Sequence, residues 1–428
     1  MLRRIWVALS VTLLLAGCGD DRTGDAGPAD AGAADASTDS GTDAGVASCM
    51  EQLMDQRVPV DITGVVGHIH PSVTWDGEGI WIVYNRPNAM RRFDVYAARM
   101  DCAGELLVQP FSVSSAPAVG NDVDPELLLL EDRFVVAWNP DNGLGGMDNL
   151  SIRYRVFDMD GTPRGDDQTL ATRYDGVAVG PANELGVQMA RATDGGFWIG
   201  GARGLPGVIP GFSAYAQNLD ADGAPTGPTL APSIDEDASQ TKVDVAVSTA
   251  GETWLAYDRT TFEPETEHVW VSRDGMAPEM LFASLDSSSS PSILPLGDAV
   301  WVAAAGLAGG ETDIRIVDVA ADGSAPVIVG EPGRVDFLPR LAGADDGTFA
   351  VAFFRQVRGF NGELQVARVT PGNPPTLGPV LRADEANAPG YQPAITHVAG
   401  DWWFVVYAEG TSPDFNLVGR FMELPSGA

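Results

Sequence analysis

One short pattern recurs along the chain and limits what it can become. A polar turn leads into five residues rich in Val, Ile, Phe, Tyr and Trp. The copies are Ile80-Trp81-Ile82-Val83-Tyr84, Phe134-Val135-Val136-Ala137-Trp138, Phe197-Trp198-Ile199-Gly200-Gly201, Thr253-Trp254-Leu255-Ala256-Tyr257, Val300-Trp301-Val302-Ala303-Ala304, Phe349-Ala350-Val351-Ala352-Phe353 and Trp403-Phe404-Val405-Val406-Tyr407. They repeat about every 54 residues, near the length of a propeller blade repeat. Segments this short, apolar and β-branched, bounded by Gly, Asp, Asn and Pro, read as strands. No strong helical periodicity competes with them from about residue 58 to about residue 425.

The flanks repeat as well. A strand precedes each copy and is often opened by proline, at Pro71, Pro125, Pro291, Pro339 and Pro393; proline is tolerated at the first residue of a strand. A variable loop and a third strand follow, as in Asp94-Val95-Tyr96-Ala97-Ala98 and Ile152-Arg153-Tyr154-Arg155-Val156. Third strands commonly run into Asp-Gly, at Asp160-Gly161, Asp222-Gly223 and Asp322-Gly323, where Gly accepts the positive φ of a tight turn. A fourth strand comes next, as in Leu106-Leu107-Val108. The last copy stops after its third strand, Phe421-Met422-Glu423, and Val58-Pro59-Val60-Asp61-Ile62 near the other end supplies the missing one. Four antiparallel strands repeated seven times predict an all-β chain, a seven-bladed β-propeller over residues 49–428 whose ring is closed by an N-terminal strand. Closure removes an exposed sheet edge. A pair of β-sandwiches is the other architecture compatible with the pattern. Named repeat signatures are sparse: Trp75-Asp76 is a lone Trp-Asp pair, and Thr193-Asp194-Gly195-Gly196-Phe197-Trp198 faintly resembles a sialidase Asp-box without its full pattern.

The N-terminus is of another kind. Residues 1–17 carry Arg3 and Arg4 before a short apolar run, Ile5 to Leu15, as a secretory signal does. The run ends in Leu15-Ala16-Gly17-Cys18, which resembles the lipobox of bacterial lipoprotein precursors. That resemblance implies cleavage before Cys18, diacylglycerol on its sulfur, acylation of the new amino group, and membrane anchoring through that lipid. Residue 19 is Gly rather than the Asp that resembles an inner-membrane retention signal, so the outer membrane, periplasmic or surface-facing, is expected. After Cys18, the segment to residue 48 is almost all Asp, Ala, Gly, Ser and Thr, with no aromatic residue. It cannot bury enough apolar surface to order itself and reads as a tether. The two other cysteines, Cys49 and Cys102, are expected to form a disulfide in an oxidising compartment.

Net charge narrows the partners. At −33 the chain repels nucleic acid. Within this acidic background, Arg86, Arg203, Arg259 and Arg355 occupy equivalent positions two residues beyond the repeated strand core. Such guanidiniums grip a carboxylate, sulfate or phosphate bidentately, or else each pairs structurally with a neighbouring-blade carboxylate such as Asp122, Asp124, Asp235 or Asp336. Lys242 is the sole lysine. His68 and His70 project to one side if extended, but no third metal ligand accompanies them. Asp158-Met159-Asp160-Gly161 and Asp220-Ala221-Asp222-Gly223 open like calcium loops but lack the later Glu, and read as turns. No nucleophile motif, cofactor or metal is expected. The chain therefore reads as a lipid-anchored envelope protein whose propeller is a non-catalytic binding or scaffold module. The alternative is a hydrolase or lyase acting on an acidic glycan at the loop-rich face. Its partners are the membrane, an envelope protein or an acidic glycan.

Overall fold

The computed structural model describes residues 57–60, 69–88, 92–115, 121–141, 151–170, 173–174, 177–178, 184–204, 211–232, 238–321, 323–358, 361–372, 374–385, 390–411 and 414–426. The signal, the lipobox, Cys49, His68 and Asp235 lie outside them. Every described element is a strand. Among the described residues no helix is long and apolar enough to cross a membrane.

Each recurrent segment is the second strand of an antiparallel sheet. The first such sheet orders Ile69–Trp75, Ile80–Pro87, Phe93–Met100 and Leu106–Ser112 side by side. Antiparallel groups of the same order begin at Asn121–Leu129, Glu184–Arg191, Ala238–Val247, Ser287–Leu296, Val335–Gly343 and Gly390–Ala399, except that the Glu184–Arg191 group has three strands and the Ser287–Leu296 and Val335–Gly343 groups are joined by one parallel bridge, Thr312 to Val335. Fourth strands are often only two or three residues long, as at Gln168–Thr169 and Glu279–Met280. First strands lie beside one another in chain order, and Gly390–Ala399 also packs on Ile69–Trp75. Arg57–Pro59 adds itself antiparallel to Asp414–Glu423, with Val58 opposite Gly419.

Alternation makes each second strand the centre of two cores. Side chains of successive residues point to opposite faces of a strand, so Trp81 and Val83 pack toward the following sheet while Ile80, Ile82 and Tyr84 pack toward the last. Trp81 and Phe134 lie 4.3 Å apart between ring centroids, and Phe134 and Phe157 5.1 Å, all fully buried. Each such side chain contributes about 1.5–3 kcal/mol by leaving water. Comparable apolar clusters sit between every pair of successive sheets.

The prolines stand elsewhere than expected. Pro71 is the third residue of its strand and Pro125 the fifth of its own. Each of the five prolines follows a residue with positive φ: His70 (53°), Asp124 (49°), Ser290 (58°), Leu338 (54°) and Gln392 (52°). Lys242 (49°) and Gly186 (67°) hold the same place in the other two first strands. At each of these positions the register with the second strand slips. A bulge leaves its extra residue out of the ladder, so a proline lacking N–H is tolerated there.

Candidate functional site

The bulges bring together side chains that are remote in sequence. His70 Nδ1 lies 2.5 Å from Asp124 Oδ1 on the next first strand. Its Nε2 lies 2.8 Å from Gln392 Nε2, on the first strand of the last sheet. The Gln392 amide is oriented by a second bond, in which the His70 backbone N–H donates to Gln392 Oε1 at 3.1 Å. The amide NH₂ is therefore the group facing His70, and it can only donate. His70 Nε2 must accept, which puts the ring proton on Nδ1, where it donates to Asp124. The imidazole is held in the tautomer whose Nε2 lone pair can take a proton.

The carboxylate partner is tuned for this. Burial pushes the Asp124 carboxyl up, but its His70 partner and Arg340 outweigh it and leave it below its ordinary value. Yet both members remain reachable from solvent, with side-chain exposures of 32% for His70 and 44% for Asp124.

Two residues further along, the first strands carry Ser72, Glu126, Gln188, Asp244, Ser292, Arg340 and Ala394. Three of these join neighbouring sheets in the same way: Ser72 Oγ accepts from Leu127 N (3.2 Å), Asp244 Oδ2 from Ile293 N (2.9 Å) and Ser292 Oγ from Leu341 N (3.2 Å). Arg340 is exposed and acts electrostatically on Asp124, Glu126 and Asp244, which belong to two other sheets. These groups therefore lie within electrostatic reach of one another. Burial pushes Glu126 up to about 8, against Arg340 and reinforced by Asp244. Burial likewise pushes Asp244 up to about 6, against the Ile293 amide. At neutral pH Glu126 thus favours its protonated form, within electrostatic reach of Arg340 and two residues from Asp124.

Lys242 belongs to the same row of bulges. Its Nζ lies 2.9 Å from Asp258 and 3.3 Å from Ser290 Oγ, and Asp258 also accepts the Ser290 backbone N–H at 2.9 Å. Burial depresses the Lys242 ammonium, but the Asp258 and Glu267 carboxylates outweigh it and the net shift is upward. It stays charged.

The four arginines singled out in the sequence lie one strand outward, on second strands. Arg355 is buried and doubly bonded to Asp336, Nε to Oδ1 at 2.8 Å and Nη2 to Oδ2 at 2.9 Å, with Glu331 at 3.1 Å. Asp336 lies on the first strand of the same sheet. Arg203 is also buried. Arg86 lies over Tyr96 at 4.7 Å and Arg259 over Trp270 at 5.0 Å, both half-buried. Of their expected partners, Asp124 bonds His70 instead. Asp122 is buried and pushed up to about 7 by desolvation, with Arg153 opposing. Cys102 is disulfide-bonded. The Asp-Gly turns use their acids locally: Asp160 accepts Thr162 N, and Asp220 accepts the N–H groups of Asp222 and Ala224. Among the described residues no group of three His, Cys, Asp or Glu side chains could hold a metal ion.

No family model matches this sequence, and no curated protein matches it. Solved structures do resemble it. An ulvan lyase of polysaccharide lyase family PL25 shares 13% identity, covering 86% of this chain and 96% of its own, with a TM-score of 0.57. That lyase is also known bound to -[GlcA(1-4)Rha3S]-. The polysaccharide lyase Uly1 shares 9% identity over 85% of this chain and 91% of its own, with a TM-score of 0.55. A protein of unknown function from Dyadobacter fermentans shares 14% identity over 86% of this chain and 98% of its own, at 0.53. At these identities the likeness is one of fold, and the fold is a β-propeller.

Proposed function

We propose that the body is a seven-bladed propeller closed by its N-terminal strand, and that the mouth of its channel cleaves an acidic polysaccharide by β-elimination. The blade count is supported by seven equivalent first strands that neighbour one another in chain order. Closure is supported by the pairing of Arg57–Pro59 with Asp414–Glu423. The observation that carries the activity is the His70–Asp124 pair, held as a base and open to solvent beside Arg340 and Glu126. A non-catalytic scaffold would leave that convergence without a role. The solved lyases of similar fold, one bound to a glucuronate-containing repeat, favour the same reading.

The chemistry follows from the residues. The C5 hydrogen of a uronic acid becomes acidic when its carboxylate charge is neutralised, and Arg340 supplies the cation. His70 Nε2, released from Gln392 by the substrate, takes that proton. The electron pair forms the C4–C5 double bond as the C4–O bond breaks. The departing oxygen takes the proton of Glu126, which is still an acid at neutral pH. Asp124 stabilises the imidazolium that results. Arg355 is committed to Asp336 and Glu331.

We further propose that the protein is exported and anchored through lipid on Cys18, with the acidic tether spacing the propeller from an outer membrane. The lipobox and the oxidised state of Cys102 support this.

The test is to incubate the purified protein with uronate-containing and uronate-free polysaccharides. Elimination leaves an unsaturated product that absorbs in the ultraviolet; hydrolysis leaves new reducing ends without absorbance. Absorbance with uronate glycans only is the expected result. Reducing ends alone would shift the reading to hydrolysis between Glu126 and a second carboxylate.

A further inference from the structure

Leu338 is out of keeping with the row of bulges to which it belongs. Its counterparts His70, Asp124, Lys242, Ser290 and Gln392 are polar and Gly186 has no side chain, but Leu338 is apolar and 40% exposed. Its φ is 54°, a left-handed conformation that disfavours residues other than Gly, Asn and Asp. The left-handed φ comes with the bulge that all seven first strands share, whereas an exposed apolar side chain at that place is particular to this strand.

An aromatic run stands next to it. Phe337 lies 4.8 Å from Phe354, which stacks on Tyr391 at 5.5 Å, which meets Phe415 edge-on at 5.6 Å. Phe337, Tyr391 and Phe415 are each only partly buried. The run spans two neighbouring sheets. It reaches the candidate centre through the backbone, because Tyr391 directly precedes Gln392, the residue that holds His70. Phe337 and Leu338 precede Arg340 on their strand in the same way.

We propose that Leu338, Phe337, Tyr391 and Phe415 form a second subsite, which takes an uncharged sugar residue next to the uronate acted on at His70. This rests on the reading of the channel mouth as a glycan site. A pyranose ring presents an apolar C–H face that covers aromatic and aliphatic surface, and it gives a reason for Leu338 to stay exposed. An ionised sugar gains little there, since Leu338, Phe337, Tyr391 and Phe415 carry no charge and the protein has a net charge of −33. The preferred glycan therefore alternates acidic and neutral residues.

Calorimetric binding of two oligosaccharides of equal length tests this, one of uronate only and one alternating uronate with a neutral hexose. The variants are Leu338→Asn, which keeps a residue tolerant of left-handed φ, and Phe415→Ala. Each should weaken the alternating glycan about tenfold, from loss of about 50 Å² of apolar contact, and leave the uronate-only glycan within about twofold. Equal losses on both glycans, or none on the alternating one, would overturn the subsite while leaving the glycan reading intact. If the unaltered protein binds neither glycan, the glycan reading fails and takes the subsite with it.

Discussion

His70 and Asp124 meet at 2.5 Å although each belongs to a different sheet, and each reaches the other from a left-handed bulge. Neither geometry is available to a regular strand, whose side chains alternate above and below the sheet. Asp124→Asn removes the charge that fixes the Nδ1–H tautomer but keeps the shape. We expect it to lower the turnover of a uronate glycan about 10²–10⁴-fold with binding retained. Steady-state rates beside calorimetric affinity check this, and an unchanged rate would remove Asp124 from the mechanism.

Glu126 makes stability fall as pH rises. Its carboxyl is pushed up to about 8 from an ordinary 4.5, so the folded state favours the protonated form. The stabilisation is complete below about 4.5 and lost as pH climbs toward about 8. Asp244, raised to about 6, acts in the same direction at lower pH. Thermal melts across that range should show a declining Tm, and Glu126→Gln should flatten its upper part. A Tm that climbs steadily over that range would contradict the burial of these groups.

Arg355 is held chiefly for stability. Asp336 is fully buried and its carboxylate is bonded twice by the guanidinium. Arg355→Ala leaves that carboxylate buried without its counter-charge, at a cost of about 3–5 kcal/mol. Denaturant unfolding should show the loss. A loss of glycan affinity at unchanged stability would instead restore Arg355 to a ligand-binding role.

Much of the fold was legible because its cause is local. Trp81, Phe134 and Trp403 recur where a second strand must fill the space between two sheets, and that need is written into five consecutive residues each time. The site was not legible, because its cause is the register slip. Pro71 and Pro125 read as strand openers, but they mark the bulges, and the residues before them, His70 and Asp124, meet between two sheets. His70 was noticed only beside His68, while its partners Asp124 and Gln392 lie 54 and 322 positions away. The one signal available was the set of residues preceding the five prolines: His, Asp, Ser, Leu and Gln. The arginines were conspicuous in the sequence because they repeat. Arg355 pairs with Asp336, one of the carboxylates the sequence named for the structural alternative, but on its own sheet, not on a neighbouring blade.

Cys102 offers a check on the chain entry. Its disulfide should survive purification without reductant, and peptide mapping should recover it joined to Cys49. Reduction should lower Tm, since a native disulfide typically contributes about 2–5 kcal/mol. A Cys102 peptide recovered as a free thiol would contradict the structure.

The most direct test of the account is the ultraviolet absorbance produced from a uronate-containing polysaccharide by the protein and by His70→Gln. The account predicts a steady rise with the unaltered protein, and a rate at least about 10²-fold lower with His70→Gln, which should still bind the glycan. Equal rates from the two, or cleavage without absorbance, would contradict His70 as the base and elimination as the reaction.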